Sequence, residues 1–153
     1  MNKKILTLCF LIPMAALAAD HAGQGHVYFG ANHSGFDLTD LLGAGVGGEV
    51  RAYKWLHAGG DIGYQFTRSG SGFGLLSVNP SLHFEAERSQ RIVPFFTGGY
   101  GMAFRGETLN LYNYGGGITY WFRDNLGLRL EVRNYAHRQE RFLTAFRIGF
   151  SFR

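Results

Sequence analysis

Residues 141–153 read RFLTAFRIGFSFR, a stretch in which two kinds of side chain alternate almost to the end of the chain. The bulky apolar side chains share one parity: Phe146, Ile148, Phe150 and Phe152. The small, polar or charged side chains share the other: Ala145, Arg147, Gly149 and Ser151. A period of two residues is that of a β-strand, whose successive side chains point to opposite faces. The stretch therefore predicts a strand that lies between two unlike environments.

Strand candidates of the same kind follow one another along the chain, separated by short turn-like segments. They span residues 24–33, 42–53, 57–68, 73–85, 93–104, 110–122, 126–137 and 141–152. Each has about 10 to 13 residues, closer to the ~9–11 residues of a tilted membrane strand than to the ~5–6 of a soluble one. Eight long strands joined by short turns predict an all-β fold, an antiparallel up-and-down barrel. Pro80 lies inside a candidate strand and removes a ladder donor, so the register there stays open.

The N-terminus has the features of a cleavable signal peptide. Two lysines precede a mostly apolar run over residues 5–12, and residues 16–18, Ala-Leu-Ala, match the small-residue cleavage pattern. We expect residues 1–18 to be removed and residues 19–153 to form one domain, the barrel. A membrane anchor is the alternative, but the apolar segment is too short for the ~20 residues of a helical span.

The composition favours a sheet protein and limits the function classes. The chain has 23 glycines, 3 prolines and 16% aromatic residues. Its single cysteine, Cys9, lies in the expected signal peptide, so the mature region has no disulfide to hold it together. With 15 basic against 11 acidic residues and no basic run, the charge gives no support for nucleic-acid binding.

Most strand candidates have one bulky apolar face and one face of glycines with charged or polar residues. The apolar face includes Leu42, Val46, Val50, Ile62, Tyr64, Phe66, Val78, Ile118, Tyr120, Leu130 and Val132. The other face includes Gly43, Gly45, Gly47, Gly63, Ser77, Asn79, His83, Gly115 and Gly117. An eight-stranded barrel is only just wide enough inside for side chains, so the glycines predict that the charged face is the inner one. The apolar face then points outwards, which suits a bilayer and predicts a transmembrane barrel.

The inner face carries charges of both signs in equal number. The acidic residues are Glu49, Asp61, Glu85 and Glu131, and the basic residues are Arg51, Arg129, Arg133 and Arg147. Because buried charges must be paired, we expect these residues to form a structural network of ion pairs that plugs the lumen. A small pore is the alternative, and it would need an unblocked lumen with a net charge.

Aromatic residues also collect near the ends of the strand candidates. Those expected at the periplasmic rim are Tyr53, Trp55, Trp121, Phe122, Phe150 and Phe152, and those expected at the outer rim are Phe66, Phe73, Phe104 and Tyr135. Aromatic girdles anchor a membrane barrel at both interfaces. We therefore expect these side chains to face the two membrane surfaces.

Three segments carry a resemblance to a known family. Residues 93–101 read VPFFTGGYG, residues 114–122 read YGGGITYWF and residues 125–133 read NLGLRLEVR. In this order they resemble the small outer-membrane β-barrel superfamily of OmpA-like, porin-family proteins. The resemblance covers nearly all of the mature region. It implies a place in the bacterial outer membrane, insertion by the barrel-assembly machinery, and contact with outer-membrane lipids and lipopolysaccharide. Members commonly end in an aromatic residue, whereas this chain adds Arg153.

Candidate catalytic residues are few. The chain also resembles the lipid A deacylase family near its C-terminus, where that family has a histidine followed two residues later by a serine nucleophile. His137 takes the place of the histidine, Gln139 stands where the serine belongs, and Glu140 could orient the histidine. A lipid A-modifying enzyme is therefore an alternative function that lacks its nucleophile.

The histidines near the N-terminus do not form a metal-ligand pattern. His21, His26 and His33 are accompanied by no cysteine and by no close acidic residue apart from Asp20. The sequence as a whole thus predicts a monomeric outer-membrane protein with a structural or interaction role in the cell envelope. It predicts no enzymatic activity, no cofactor or metal, and no nucleic-acid partner.

Overall fold

The computed structural model describes residues 23–34, 40–66, 72–86, 90–105, 107–137 and 140–153. They form eight β-strands: β1 (Gly23–Ser34), β2 (Asp40–Tyr53), β3 (Leu56–Phe66), β4 (Gly72–His83), β5 (Ile92–Arg105), β6 (Glu107–Arg123), β7 (Leu126–His137) and β8 (Glu140–Phe152). Each strand is antiparallel to the next, and β8 pairs with β1 to close the barrel. The predicted eight-stranded up-and-down barrel is confirmed. The expected signal peptide, residues 1–18, lies outside the described residues.

The observed strands start and end close to the predicted ones. β7 has the predicted bounds, whereas β6 begins at Glu107 and not at residue 110. The difference arises because Arg105 pairs with Glu107 across the hairpin, so the ladder continues almost to its tip. No helix of the described residues is long and apolar enough to cross a membrane.

The barrel has two unlike ends. At one end lie the tight turns at residues 54–55 and 124–125, together with the start of β1 and the end of β8. We call it the turn end. The opposite end, where β5 joins β6 and β7 joins β8, is the loop end. In outer-membrane barrels the short turns are periplasmic, so we expect the turn end to face the periplasm and the loop end to face the outside of the cell.

Pro80 is accommodated without a change of register. The pairs Val78–Tyr100 and Ser81–Thr97 have the same offset, and the ladder between β4 and β5 is interrupted only between them. On the other side Pro80 pairs with Ala58 of β3. The hydroxyl of Thr97 donates a hydrogen bond to the carbonyl of Pro80 at 3.3 Å. A side-chain hydroxyl on β5 therefore supplies a contact at the place where proline interrupts the ladder.

Large apolar side chains cover the outside of the barrel, as predicted. The exposed ones include Phe29, Leu42, Val50, Ile62, Val78, Phe96, Ile118, Leu130, Val132, Phe146, Ile148 and Phe150. Side chains of the opposite parity are buried, among them Asp61, Ser77, Arg133 and Arg147. The assignment of the two faces is confirmed at these positions.

Three aromatic residues expected in the girdles point into the barrel instead. Trp121 is 5% exposed, Tyr135 is 0% exposed, and Phe73 packs against a buried apolar cluster. The reason is parity, because Trp121 and Tyr135 lie two residues after the buried Thr119 and Arg133. The other predicted girdle residues are exposed: Tyr53, Trp55, Phe66, Phe104, Phe122, Phe150 and Phe152.

Candidate functional site in the barrel lumen

The inside of the barrel is filled by three layers of side chains. The loop-end layer is apolar and consists of Leu75, Ala103, Leu111, Tyr135, Leu143 and Ala145. The charged layer in the middle consists of Glu49, Asp61, Arg129, Glu131, Arg133 and Arg147, all buried. The turn-end layer contains His57, His83, Val93, Phe95 and Trp121, which are also buried. The sequence alone predicted the charged layer and not the two layers that cover it.

Ion pairs connect the charged layer across the lumen. Arg133 of β7 contacts Asp61 of β3 at 2.5 Å, and these two strands lie on opposite walls of the barrel. Arg133 also contacts Glu131 at 2.5 Å. Arg147 of β8 contacts Asp61 at 3.2 Å and Glu131 at 3.8 Å. Each arginine therefore lies between two carboxylates, which is the arrangement that buried charges need.

Arg129 extends this network to β2. Its guanidinium contacts Glu131 at 3.2 Å and Glu49 at 3.0 Å. The same guanidinium lies 3.8 Å from the centre of the Phe95 ring, a cation–π contact. The charged layer is thereby joined to the turn-end layer.

Neutral side chains satisfy the remaining polar atoms of the carboxylates. Asp61 accepts hydrogen bonds from Asn79 at 3.1 Å and from Tyr28 at 3.3 Å. Glu49 accepts short hydrogen bonds from Gln24 and Ser81. Such partners are required because an unpaired polar group inside a protein is costly.

Two of the predicted network residues lie at the rim and not in the lumen centre. Arg51 has a side chain that is 44% exposed, and it pairs with Glu85 at 3.0 Å. Glu85 also contacts Arg153 at 2.8 Å. Both arginines therefore close the turn end of the barrel, below the charged layer, where they remain in reach of solvent.

The loop-end layer closes the barrel from the other side. Tyr135 links it to the charged layer, because its hydroxyl accepts a hydrogen bond from Arg147 at 2.5 Å. Leu75 and Leu111 are 0% exposed. These leucines have the parity of the polar inner face, and that continuity of parity is the signal that would have placed them inside.

Glycines on the inner face leave the space that these large side chains occupy. A Cβ atom at Gly47 would lie 2.5 Å from Nε2 of His26 and 2.8 Å from Cβ of Asp61. A Cβ atom at Gly117 would lie 2.9 Å from Cα of Glu131. The glycine-rich inner face that the sequence indicated thus faces the crowded charged layer.

The candidate catalytic histidine lies at the loop end and is not part of these layers. Nδ1 of His137 is 2.8 Å from the backbone carbonyl of Asn110, to which it can donate a hydrogen bond. Glu140 pairs with His137 across the β7–β8 hairpin, but its side chain lies outside the described residues, as does Gln139. His26 is buried inside the barrel, whereas His33 is exposed and His21 lies outside the described residues.

Solved structures that share this architecture include small outer-membrane barrels. The N-terminal β-barrel domain of Pseudomonas aeruginosa OprF matches with a TM-score of 0.63 and 14% identity, over 84% of this chain and 96% of that one. Neisserial surface protein A matches with a TM-score of 0.59 and 12% identity, over 85% of this chain and 94% of that one. This chain has the outer-membrane β-barrel fold. The resemblance found in the sequence is confirmed at the level of the fold.

A designed protein has the same architecture. A de novo designed transmembrane β-barrel matches with a TM-score of 0.58 and 18% identity, over 87% of this chain and 97% of that one. No protein-family model and no curated protein sequence matches the chain. The property shared with these structures is therefore the barrel fold. The outward apolar belt of this chain is the kind of surface that a barrel in the outer membrane has.

Proposed function

We propose that this protein is an integral outer-membrane barrel whose lumen is plugged, with a structural or interaction role in the cell envelope. The observation that carries the proposal is the charged layer, in which three arginines and three carboxylates neutralise one another across the lumen. A pore would need a continuous aqueous path, and eight strands leave an interior that side chains can fill. The small-pore alternative is not supported by this packing.

The two outer layers strengthen the argument for a plug. An ion that entered from the loop end would meet the leucines of the apolar layer, where it would lose its hydration. An ion that entered from the turn end would meet Phe95 and Trp121, which are both buried. Conduction would therefore require several layers to move at once, and not a single side chain.

We also propose that the barrel has no enzymatic activity. A deacylase of the kind considered above needs a serine next to its histidine, and Gln139 occupies that place in the sequence. The hydrogen bond between His137 and the carbonyl of Asn110 gives this histidine a structural partner. A lipid A-modifying activity has no further support from the described part of the chain.

The outward surface indicates the partners of the barrel. Its belt of Leu, Ile, Val and Phe fits the acyl chains of outer-membrane lipids and lipopolysaccharide, and aromatic residues lie at both rims. We also expect insertion by the barrel-assembly machinery, as the resemblance to outer-membrane barrels implies. We expect a monomer without a nucleic-acid partner, because the chain closes its own barrel and has no basic run.

Conductance across a planar lipid bilayer tests the plug. The purified barrel is expected to give no current steps, while a general porin reconstituted in the same way serves as the positive control. Stepwise conductance of the wild-type protein would overturn the proposal. Mass spectrometry of lipid A incubated with the protein tests the proposed absence of enzymatic activity. Loss of an acyl chain would show that the barrel is an enzyme.

A further inference from the structure

Two histidines of the turn-end layer and one carboxylate of the charged layer have donor atoms that converge. One nitrogen each of His57 and His83 and one carboxylate oxygen of Glu49 all lie within 4.8 Å of one another. The three residues are 7%, 3% and 7% exposed. They come from β3, β4 and β2, which are neighbours in the barrel.

His57 is the unexplained member of this group. Neither of its ring nitrogens has a hydrogen-bond partner among the described residues, although the side chain is buried. Its ring stacks on that of His83, with centroids 4.1 Å apart and an angle of 23° between the planes. A buried imidazole with both nitrogens unpaired is costly, so its position next to two other ligand atoms points to a missing partner.

The spacing of the donors suits a tetrahedral metal ion. Nε2 of His83 lies 3.0 Å from Oε2 of Glu49. Two ligand atoms bound to one tetrahedral Zn²⁺ at the usual bond lengths lie roughly 3.3 Å apart. A metal ion could therefore replace the hydrogen between these two atoms with little movement. His57 would leave its stacked position and turn one nitrogen towards the same point.

The surroundings leave room for a fourth ligand. A cavity of about 30 Å³ lies beside His57 and His83, and its lining also includes Gln24, Trp121 and the ion-paired residues Arg51, Glu85 and Arg153. That volume is enough for one water molecule, which needs ~10–15 Å³ by this kind of measure.

The electrostatics of Glu49 are also compatible with a bound cation. Its Oε1 atom is held by Arg129 at 3.0 Å, whereas its Oε2 atom accepts a hydrogen bond from Ser81 and lies next to His83. Neutral imidazoles add no positive charge, so the carboxylate would be shared between one arginine and the metal ion. Two imidazoles and one carboxylate are a ligand set that proteins use for Zn²⁺ and related transition metals.

We infer that Glu49, His57 and His83 form a binding site for a divalent transition metal at the turn end of the lumen, with Zn²⁺ as the probe of choice. The inference goes beyond the proposed plug, because a closed barrel does not require a metal. A bound ion would join β2, β3 and β4 at their turn end. It would therefore stabilise the folded barrel by an amount that rises with the logarithm of the free ion concentration once that concentration exceeds the dissociation constant.

Isothermal titration of the untagged, folded protein in detergent with Zn²⁺ tests this site. The wild type is expected to bind one ion per chain. The variants His57→Ala and His83→Ala are expected to bind it more than about tenfold more weakly. His137→Ala is the matched control, because this histidine lies at the opposite end of the barrel, and it should bind as the wild type does. Absence of binding, or equal affinity in all four proteins, would overturn the inference.

A second measurement keeps the test decisive if a variant fails to fold. Folding of each variant is checked by its mobility on an SDS gel before heating. X-ray absorption at the zinc edge of the wild-type complex requires no variant, and it should show two imidazole ligands and a carboxylate oxygen at about 2.0–2.2 Å. A shell with one imidazole or none would contradict the site.

Discussion

Glu131→Gln tests the charged layer most sharply, because Glu131 contacts three arginines at once. Its carboxylate lies 2.5 Å from Arg133, 3.2 Å from Arg129 and 3.8 Å from Arg147. The substitution keeps the shape of the side chain and removes its charge. Three buried arginines then face only two carboxylates, and the balance of the layer is lost.

The expected cost is large because the uncompensated charge cannot reach water. Removing one partner of a buried ion pair typically costs about 3–5 kcal/mol of the free energy of unfolding. The matched control is Arg51→Gln at the turn end, where the side chain is 44% exposed. Loss of such an exposed ion pair typically costs about 0–1 kcal/mol.

Urea unfolding in lipid vesicles measures both variants, with tryptophan fluorescence as the probe and gel mobility before heating as the check on folding. We expect the two substitutions to differ by at least about 2 kcal/mol, the gap between the ranges for buried and exposed pairs. If Glu131→Gln unfolds within 1 kcal/mol of the wild type, ~1 kcal/mol being the upper limit for an exposed pair, the charged layer is not a tightly coupled network.

Three further predictions concern the crowding around inner-face glycines, the outward apolar belt and the C-terminal residue. Gly117→Ala should lower the free energy of unfolding by about 1–3 kcal/mol, because the new methyl group would be overpacked against β7. Gly25→Ala should leave it unchanged in the same urea titration, because its Cβ atom would meet nothing nearer than 3.8 Å. Val132 lies in the middle of the outward face of β7. Val132→Arg should lower the free energy of unfolding in vesicles by about 2–4 kcal/mol, whereas Val132→Ile should leave it almost unchanged. Equal costs within either pair would contradict the reasoning. Deleting Arg153 removes a cation–π contact 4.2 Å from the ring of Trp121 and should shift tryptophan emission to the red, while Arg153→Lys should not. An unchanged spectrum after the deletion would show that Arg153 does not cover Trp121.

The barrel could be predicted from the sequence because the period-two alternation can be recognised within each strand separately. In β8 it separates Phe146 and Ile148 from Arg147 without reference to any other strand, and the same pattern in the other strands settled which face is inside. Glycines on the charged face carried that decision, since an eight-stranded interior has little room. The fold therefore followed from patterns that lie within single strands.

The contents of the lumen were only partly predictable because they depend on pairing between strands. Arg133 and Asp61 are 72 residues apart and meet only because β7 and β3 lie on opposite walls. Their place near strand ends predicted that Tyr135 and Trp121 belong to the girdles. Their parity, which they share with the inner-face residues of the same strands, is the better guide and puts both inside. The sequence contains no signal for a site at His57, because Glu49 and His83 lie on other strands and come close to it only when the strands pair.

The most direct test of the account compares unheated and boiled samples of the isolated outer-membrane fraction on an SDS gel. A folded barrel resists SDS, so the protein should be found in that fraction and should change its mobility on boiling. A protein found soluble in the periplasm, with the same mobility before and after boiling, would contradict the outward apolar belt and the charged lumen together.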